Sequence, residues 1–281
     1  MSREPPRISV VVALLDRSAT LERCLDSVAA QSYRHREIIV IDGGSSDGSL
    51  EILRRRAAEL AYWESGPDRG LYHAFNKALQ KVSGEWVYFL GADDYLWSAD
   101  AFERMAPHLT GAFPRYRVVY AQANFISEAG ETLEIMGAPW EHCRKRFLQG
   151  FMIPHQASFH HRSLFEARGA FDESFRIGGD YEMLLRELKE RAPLHVPGIV
   201  VAAYQFGGGS SAPENALRVL GVVRRAQQLN GIRFPGLLWY AALARALIRL
   251  TLWKVLGERV AKRMLDCGRA LLGKPAFWTR I

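Results

Sequence analysis

Up to about residue 110 the chain alternates between two hydrophobic periods. "ISVVVALL" (8–15), "REIIVI" (36–41) and "EWVYFL" (85–90) are short runs of β-branched and aromatic residues that read as buried strands. Between them apolar residues fall at helical spacing: Leu21, Cys24, Leu25 and Val28 on one face, Tyr72, Phe75, Leu79 and Val82 on another. Strands alternating with helices predict an α/β fold, a mostly parallel central sheet flanked by helices with ligands beyond the C-terminal strand ends. Right-handed crossovers bring the loops after the strands to one edge of the sheet. Those loops carry acids: Asp16 after the first run, Asp42 after the second, Asp93 and Asp94 after the "EWVYFL" run.

Composition adds a boundary. The 281 residues, 48% hydrophobic and 24% charged, suffice for one large domain or a domain with an appendage. The net charge of +7 is uneven: residues 215–281 hold 13 Lys or Arg against Glu258 and Asp266, a balance of +11, so the first 214 residues carry about −4. This divides the chain into a domain over 1–212, with halves at about 1–110 and 111–212, and a basic helical tail over 213–281. Cys24, Cys143 and Cys267 are few and widely spaced, which suits a reducing compartment and offers no zinc-type spacing. "MSREPPR" has no apolar signal region, and no run of 18 uncharged apolar residues occurs. The expectation is a cytoplasmic protein that does not span a membrane.

"VIDGGSSDGS" (40–49) fails the dinucleotide fingerprint because Ser45 stands where the middle glycine belongs, and it lacks the Lys-Ser/Thr ending of a P-loop. It reads as a strand tip, a turn, and a helix capped by Ser46 or Asp47. Asp42 at the tip either accepts a ring N–H or a ribose hydroxyl, or stabilises the turn alone. Asp93 and Asp94 have no cation near them in sequence and repel each other unless one is protonated, solvated or held by a divalent ion. Mg²⁺ or Mn²⁺ takes one or two carboxylates plus phosphate oxygens, which such a pair at a nucleotide-binding edge could supply.

"ISVVVALLDRSATLERCLDSVAAQSY", "IIVIDGGSSDGS", "ESGPDRGLYHAFNKAL", "SGEWVYFLGADD" and "FDESFRIGGDYEMLLR" occur in this order. Together they resemble family 2 inverting glycosyltransferases of the GT-A fold, over about residues 7–211, and in particular bacterial enzymes of surface polysaccharide synthesis. The resemblance implies transfer from a nucleotide diphosphate sugar, typically UDP-linked, with a divalent cation (Mn²⁺ or Mg²⁺). It implies a nucleobase contact for Asp42, a further nucleotide contact for Asp68, a ribose or sugar contact for Asp93, the metal for Asp94 and the general base for Asp180. Two positions depart from the family pattern: Asp16 stands where Asn is usual, also at the donor nucleotide, and Gly179-Asp180 replaces the usual Glu-Asp. A group that takes the acceptor's proton is what a single displacement with inversion requires of Asp180; its alternative is the N-cap of the helix "YEMLLRELKER".

Two segments complete the candidate site. His155 and Gln156 in "IPHQASFHH" resemble the family's pattern before its catalytic acid and suggest an acceptor or diphosphate contact, the alternative for a histidine in apolar surroundings being a core position. "YQFGGGSS" (204–211), with Gly208 and Ser210, offers backbone N–H groups to a diphosphate or is a linker to the tail. In the tail, residues 234–264 read as one basic amphipathic helix, with Arg245, Arg249 and Lys254 recurring among Trp239, Tyr240, Trp253 and leucines. Such a helix lies at the anionic cytoplasmic face of the inner membrane, where a polyprenyl-diphosphate-linked or glycan acceptor would be met, or packs on the domain or in a homo-oligomer. No nucleic-acid motif accompanies the basic charge. The rival readings are an inactive nucleotide-sugar-binding or membrane scaffold and a nucleotidyltransferase; Asp42, Asp93, Asp94 and Asp180 together favour the transferase over the first, and the lack of glycines in "ALLDRSATLE" disfavours the second.

Overall fold

The computed structural model describes residues 4–127, 130–205 and 215–280. β1 (Ile8–Leu14), α1 (Ser18–Ala29), β2 (Arg36–Asp42), α2 (Ser49–Arg56), β3 (Tyr62–Ser65), α3 (Leu71–Leu79) and β4 (Trp86–Gly91) follow the expected alternation. β1 pairs in parallel with β2 on one side and β4 on the other, and β3 adds to β2. All seven residues of β1 are buried because both sheet faces are covered, which is why it reads as an unbroken apolar run. α1 buries Leu21, Cys24, Leu25 and Val28 as its periodicity predicts. α3 buries Tyr72 and Phe75 but ends at Leu79, leaving Val82 beyond the helix.

The second half adds β5 (Tyr95–Leu96), α4 (Ala101–Ala112), β6 (Val118–Ile126), β7 (Thr132–Met136), α5 (Trp140–Phe147), β8 (Ser158–His161), α6 (Ser163–Arg168), α7 (Gly179–Leu188) and β9 (Leu194–Gln205). The sheet order is β3-β2-β1-β4-β8-β6-β9-β5, with β7 on β6. β8 enters antiparallel between β4 and β6, while β6 and β9 run parallel. One core lies on each face of this sheet, the first around Val10, Leu25 and Phe102, the second around Ile39, Phe89 and Leu184.

The C-terminal stretch forms α8 (Ala216–Leu229), α9 (Leu237–Leu256) and α10 (Glu258–Leu271). The single helix expected over 234–264 is thus two, divided at Gly257, whose φ of +74° is costly for a residue with a Cβ. α8 packs on α7: Val223 and Ala226 are buried, and the Asn230 amide after α8 donates to Glu182 at 3.1 Å. The chain end also returns to the domain. Asp266 on α10 accepts the N–H groups of Phe277, Trp278 and Thr279 at 2.8–2.9 Å, Phe277 stacks on Phe125, and Arg280 reaches Glu131 at 3.0 Å. Arg249 lies over the Trp278 ring at 5.2 Å, so it faces protein, unlike the exposed Arg245 and Lys254.

At the opposite end of the strands, buried Glu37 ties β1, β2 and the start of β4 together. It accepts Ser9 Oγ at 2.5 Å, Ser83 N at 2.7 Å and Ser83 Oγ at 2.8 Å. A Cβ at neighbouring Gly84 would lie 2.7 Å from Arg7 O, so the approach needs glycine. Burial pushes the Glu37 carboxyl up, but the Ser9 and Ser83 hydrogen bonds and nearby Arg7 outweigh it and hold the group below its ordinary value. Stability from a lowered carboxyl is present above the unfolded value and lost as pH falls through the folded one. Urea titration should show Glu37→Gln weakening the fold by about 1–3 kcal/mol at neutral pH, with the deficit shrinking in acid. A deficit independent of pH contradicts this.

Candidate active site

A cleft of about 650 Å³ opens at the C-terminal ends of β1 and β4. Asp68, Asp93, Asp94, His155, Gln156 and Asp180 line it, from four separate loops or element ends. Asp16 and Asp42 do not line it, and Gly208 and Ser210 lie outside the described residues. The size suits a nucleotide bearing a sugar.

Asp93 and Asp94 follow β4 in a turn closed by Asp94 N–H to Gly91 O at 3.0 Å. A Cβ on Gly91 would lie 2.7 Å from Asp94 Oδ2 and 2.9 Å from Asp93 Oδ1, so both carboxylates converge on space that only glycine leaves open. Cations absent nearby in sequence arrive through the fold. Arg17 Nε stands 3.9 Å from Asp93 Oδ2, and Arg23 Nη2 donates to Asp93 O at 3.0 Å. Asp93 and Arg17 are both about half exposed, so their attraction is weak. Asp94 is only 7% exposed. Burial first and the Asp93 charge second push its carboxyl well above the ordinary range, against smaller opposing effects of Arg23 and the Gly91 backbone. A buried, repelled carboxylate beside a second one fits a hard divalent ion. Among the described residues no three His, Cys, Asp or Glu side chains gather to hold an ion alone, so such an ion would complete its shell from phosphate oxygens and water.

The other strand-end acids have different work. Asp42 is fully buried and accepts Ser45 N at 3.1 Å, Ser45 Oγ, and Ser65 Oγ at 2.5 Å. Asp16, at φ +52°, accepts Ser46 N at 2.8 Å while its own N–H reaches Ser45 Oγ at 2.8 Å. Asp16 therefore stitches the β1 loop to the β2 loop, and Asp42 ties the β2 loop to the end of β3. Asp47 extends the stitch, accepting Ser18 N at 2.8 Å and Ser49 N at 3.0 Å, although the N-cap of α2 is Gly48. Asp68 does reach the cleft. Its Oδ1 takes Gly70 N–H at 2.7 Å, and its Oδ2 lies 2.9 Å from where a Cβ on Gly43 would stand.

Asp180 sits in the first turn of α7, whose N-cap is Gly178, so the capping alternative for Asp180 falls. Its Oδ1 accepts the Tyr72 hydroxyl at 3.2 Å. His155 stacks on Phe89 at 5.8 Å, and its Nε2 is buried without a hydrogen-bond partner among the described residues. Burial lowers the imidazole's affinity for a proton while the Asp180 charge opposes this, leaving a ring of reduced basicity beside the acid. Gln156 lines the cleft, its carbonyl taking the Tyr88 hydroxyl. Three features had no separate signal in sequence. Arg17 and Arg176 stand on the cleft wall, Arg176 donating to Arg69 O at 2.6 Å. Val219, Val222 and Val223 of α8 form an apolar wall, so the stretch assigned to the tail helps build the cleft.

A family model described as Glycosyl transferase family 2 matches residues 9–165. An uncharacterized glycosyltransferase of Mycobacterium tuberculosis is 33% identical over 232 residues, covering 82% of this chain and 86% of the relative. A PGL/p-HBAD biosynthesis glycosyltransferase of the same species is 32% identical over 211 residues, covering 73% and 80%. Of solved structures, Staphylococcus aureus TarS in complex with UDP-GlcNAc aligns at TM-score 0.61 and 18% identity, over 78% of this chain and 66% of that one. The mannosyltransferase PcManGT of Pyrobaculum calidifontis, in complex with GDP-Man and Mn²⁺, aligns at 0.63 and 20%, over 95% and 80%. At these identities the two structures speak for the GT-A transferase fold alone.

A raised carboxyl contributes stability below its unfolded value and loses it as pH rises through the folded one, so ionised Asp94 weakens the metal-free fold at neutral pH. Asp94→Asn should therefore melt at or above the unmutated protein in EDTA, by calorimetry. A fall of several degrees would mean that the carboxylate is held by the fold itself.

Proposed function

The chain belongs to glycosyl transferase family 2 and is a transferase enzyme, and from that premise we propose that it moves a sugar from a UDP-sugar to a hydroxyl of a glycan or lipid-linked acceptor, with inversion, in the synthesis of a surface polysaccharide or glycolipid. The observation that carries this reading is the shared cleft: a repelled carboxylate pair at one strand end and Asp180 on the facing helix. The nucleotide end of the donor lies against Asp68 and Asp93, and Asp16 and Asp42 hold the shape of that edge from behind. Arg17 and Arg176 offer positive charge to the diphosphate, and His155 and Gln156 offer hydrogen bonds to it or to the acceptor.

In the reaction the acceptor hydroxyl gives its proton to the Asp180 carboxylate as its oxygen bonds to the anomeric carbon. The bond from that carbon to the phosphate oxygen breaks, and its electron pair leaves with the diphosphate. Asp94 would hold a divalent cation, Mn²⁺ or Mg²⁺, whose chemistry would be charge neutralisation for that leaving group. The valine wall of α8 limits water at the reacting face. The neighbours' ligands, UDP-GlcNAc and GDP-Man, define the donor screen: hydrolysis of UDP- and GDP-sugars with Mn²⁺, Mg²⁺ or EDTA. Asp180→Asn should lower turnover of the best donor by about 10²–10⁴-fold with little change in donor affinity. Unchanged turnover removes Asp180 as base, and full activity in EDTA removes the metal.

The membrane reading rests on α9 and α10. No helix among the described residues is long and apolar enough to cross a bilayer. Leu237, Tyr240, Ile248, Val255, Met264 and Leu271 are nonetheless exposed, interleaved with Arg245, Lys254, Arg259 and Arg263. Such a surface suits an anionic membrane face, here the cytoplasmic face of the inner membrane, where each Lys or Arg contributes about 1 kcal/mol. The chain should sediment with anionic vesicles at low ionic strength and much less with zwitterionic ones. Arg245→Glu with Lys254→Glu should release it while melting stays cooperative. Binding untouched by charge reversal or lipid charge contradicts the reading.

A further inference from the structure

Two glycines precede Asp180, and each has a steric reason. Gly178 lies at φ +70°, and a Cβ there would come within 2.8 Å of Val222 Cγ1 on α8. Gly179 needs no unusual φ; space alone constrains it. A Cβ on it would meet the Tyr72 ring at 2.8 Å from Cε2 and 2.9 Å from Cδ2 and Cζ. The start of α7 is therefore pinched between an aromatic ring of α3 and a valine of α8. Tyr72 itself is fixed: 3% exposed, stacked on Phe171 at 5.5 Å and 25°, and edge-on to Phe75 at 6.1 Å. From that position its hydroxyl donates to Asp180 Oδ1.

We propose that Tyr72 is the positioning residue of Asp180, engaging Oδ1 so that the carboxylate is held with Oδ2 toward the acceptor hydroxyl. This rests on the reading of Asp180 as the proton acceptor. The described residues make no hydrogen bond to Oδ2, and Asp180 lines the cleft. A carboxylate on a helix's first turn has several rotamers, and a single buried donor selects among them at no reorganisation cost during reaction. Burial, then the Asp180 charge, push the phenol well above its ordinary value, against the N–H groups of Asp180 and Gly179, so the hydroxyl stays a donor. The same packing explains why glycine replaces the family's usual Glu before the catalytic Asp. The Tyr72 ring fills the volume at the Cβ of residue 179, and a phenol takes the place of a second acid beside Asp180.

Tyr72→Phe keeps the ring and removes only the donor. With the best donor from the hydrolysis screen, kcat should fall about 10- to 100-fold, the range of a hydrogen bond to a charged group, while donor KM and melting temperature hold. Gly179→Ala should lower kcat in the same way with the hydroxyl retained, because the new methyl displaces the ring. In the Asp180→Asn background, Tyr72→Phe should cost little more, since the two act as one unit. Unchanged kcat in Tyr72→Phe, or a loss confined to KM and melting temperature, overturns the proposal and makes Tyr72 a packing residue. If Asp180→Asn also turns over normally, the base assignment has failed; if it is inactive while Tyr72→Phe is normal, the positioning role alone has failed.

Discussion

Two carboxylates on consecutive residues, one of them buried, set the terms for the rest of this molecule. Asp93 and Asp94 converge over the bare Cα of Gly91. Arg17 and Arg23 approach Asp93, but Asp94 stays in a setting that disfavours its charge. A fold under no functional demand sheds such a conflict by substitution, because an unpaired buried charge weakens it. Here the surroundings are built to the conflict instead: β4 ends in glycine so that both groups fit, the β1 loop brings Arg17, and the cleft opens directly in front.

The cleft is assembled from distant parts of the chain. Its floor is the end of the parallel strands, its acid wall is the start of α7, and its apolar wall is α8. Close approaches at glycines lock these together: Gly179 against Tyr72, Gly178 against Val222. Since α8 continues into α9, with Trp239 Nε1 on α9 bonded to Leu220 O at 3.2 Å, the basic C-terminal helices are mechanically joined to the wall beside Asp180. A membrane-bound tail and a lipid-linked acceptor would then meet at the same wall.

Local pattern revealed much of this and long-range pairing hid the rest. β1, β2 and β4 were legible to within a residue because strands covered on both faces are unbroken apolar runs. The insertion of β8 between β4 and β6, and the two-residue β5 pairing with β9, have no local signature. Of the acids that line the cleft, Asp93 and Asp94 were legible from the strand pattern and Asp68 only through the family resemblance; Asp42 and Asp16, absent from the lining, were not distinguishable from Asp93 and Asp94, because an acid bonded to turn N–H groups and an acid facing a ligand occupy the same place in a βα unit. Tyr72 read as one core position on a helical face, its hydroxyl contact lying 108 residues away. In the tail, the recurrence of Arg245, Arg249 and Lys254 suggested one stripe. The break at Gly257 and the stacking of Arg249 on Trp278 depend on the chain end folding back, which no window of sequence contains.

The central claim is that the Asp93–Asp94 conflict is relieved by a divalent cation arriving with a nucleoside diphosphate. Calorimetric titration of UDP and of GDP into the full chain, in Mn²⁺ and in EDTA, tests it without knowledge of sugar or acceptor. The account predicts that one of the two binds about tenfold or more tightly with Mn²⁺ and that Asp94→Asn removes the difference. Equal affinity in Mn²⁺ and EDTA, or a metal effect that survives Asp94→Asn, would contradict it.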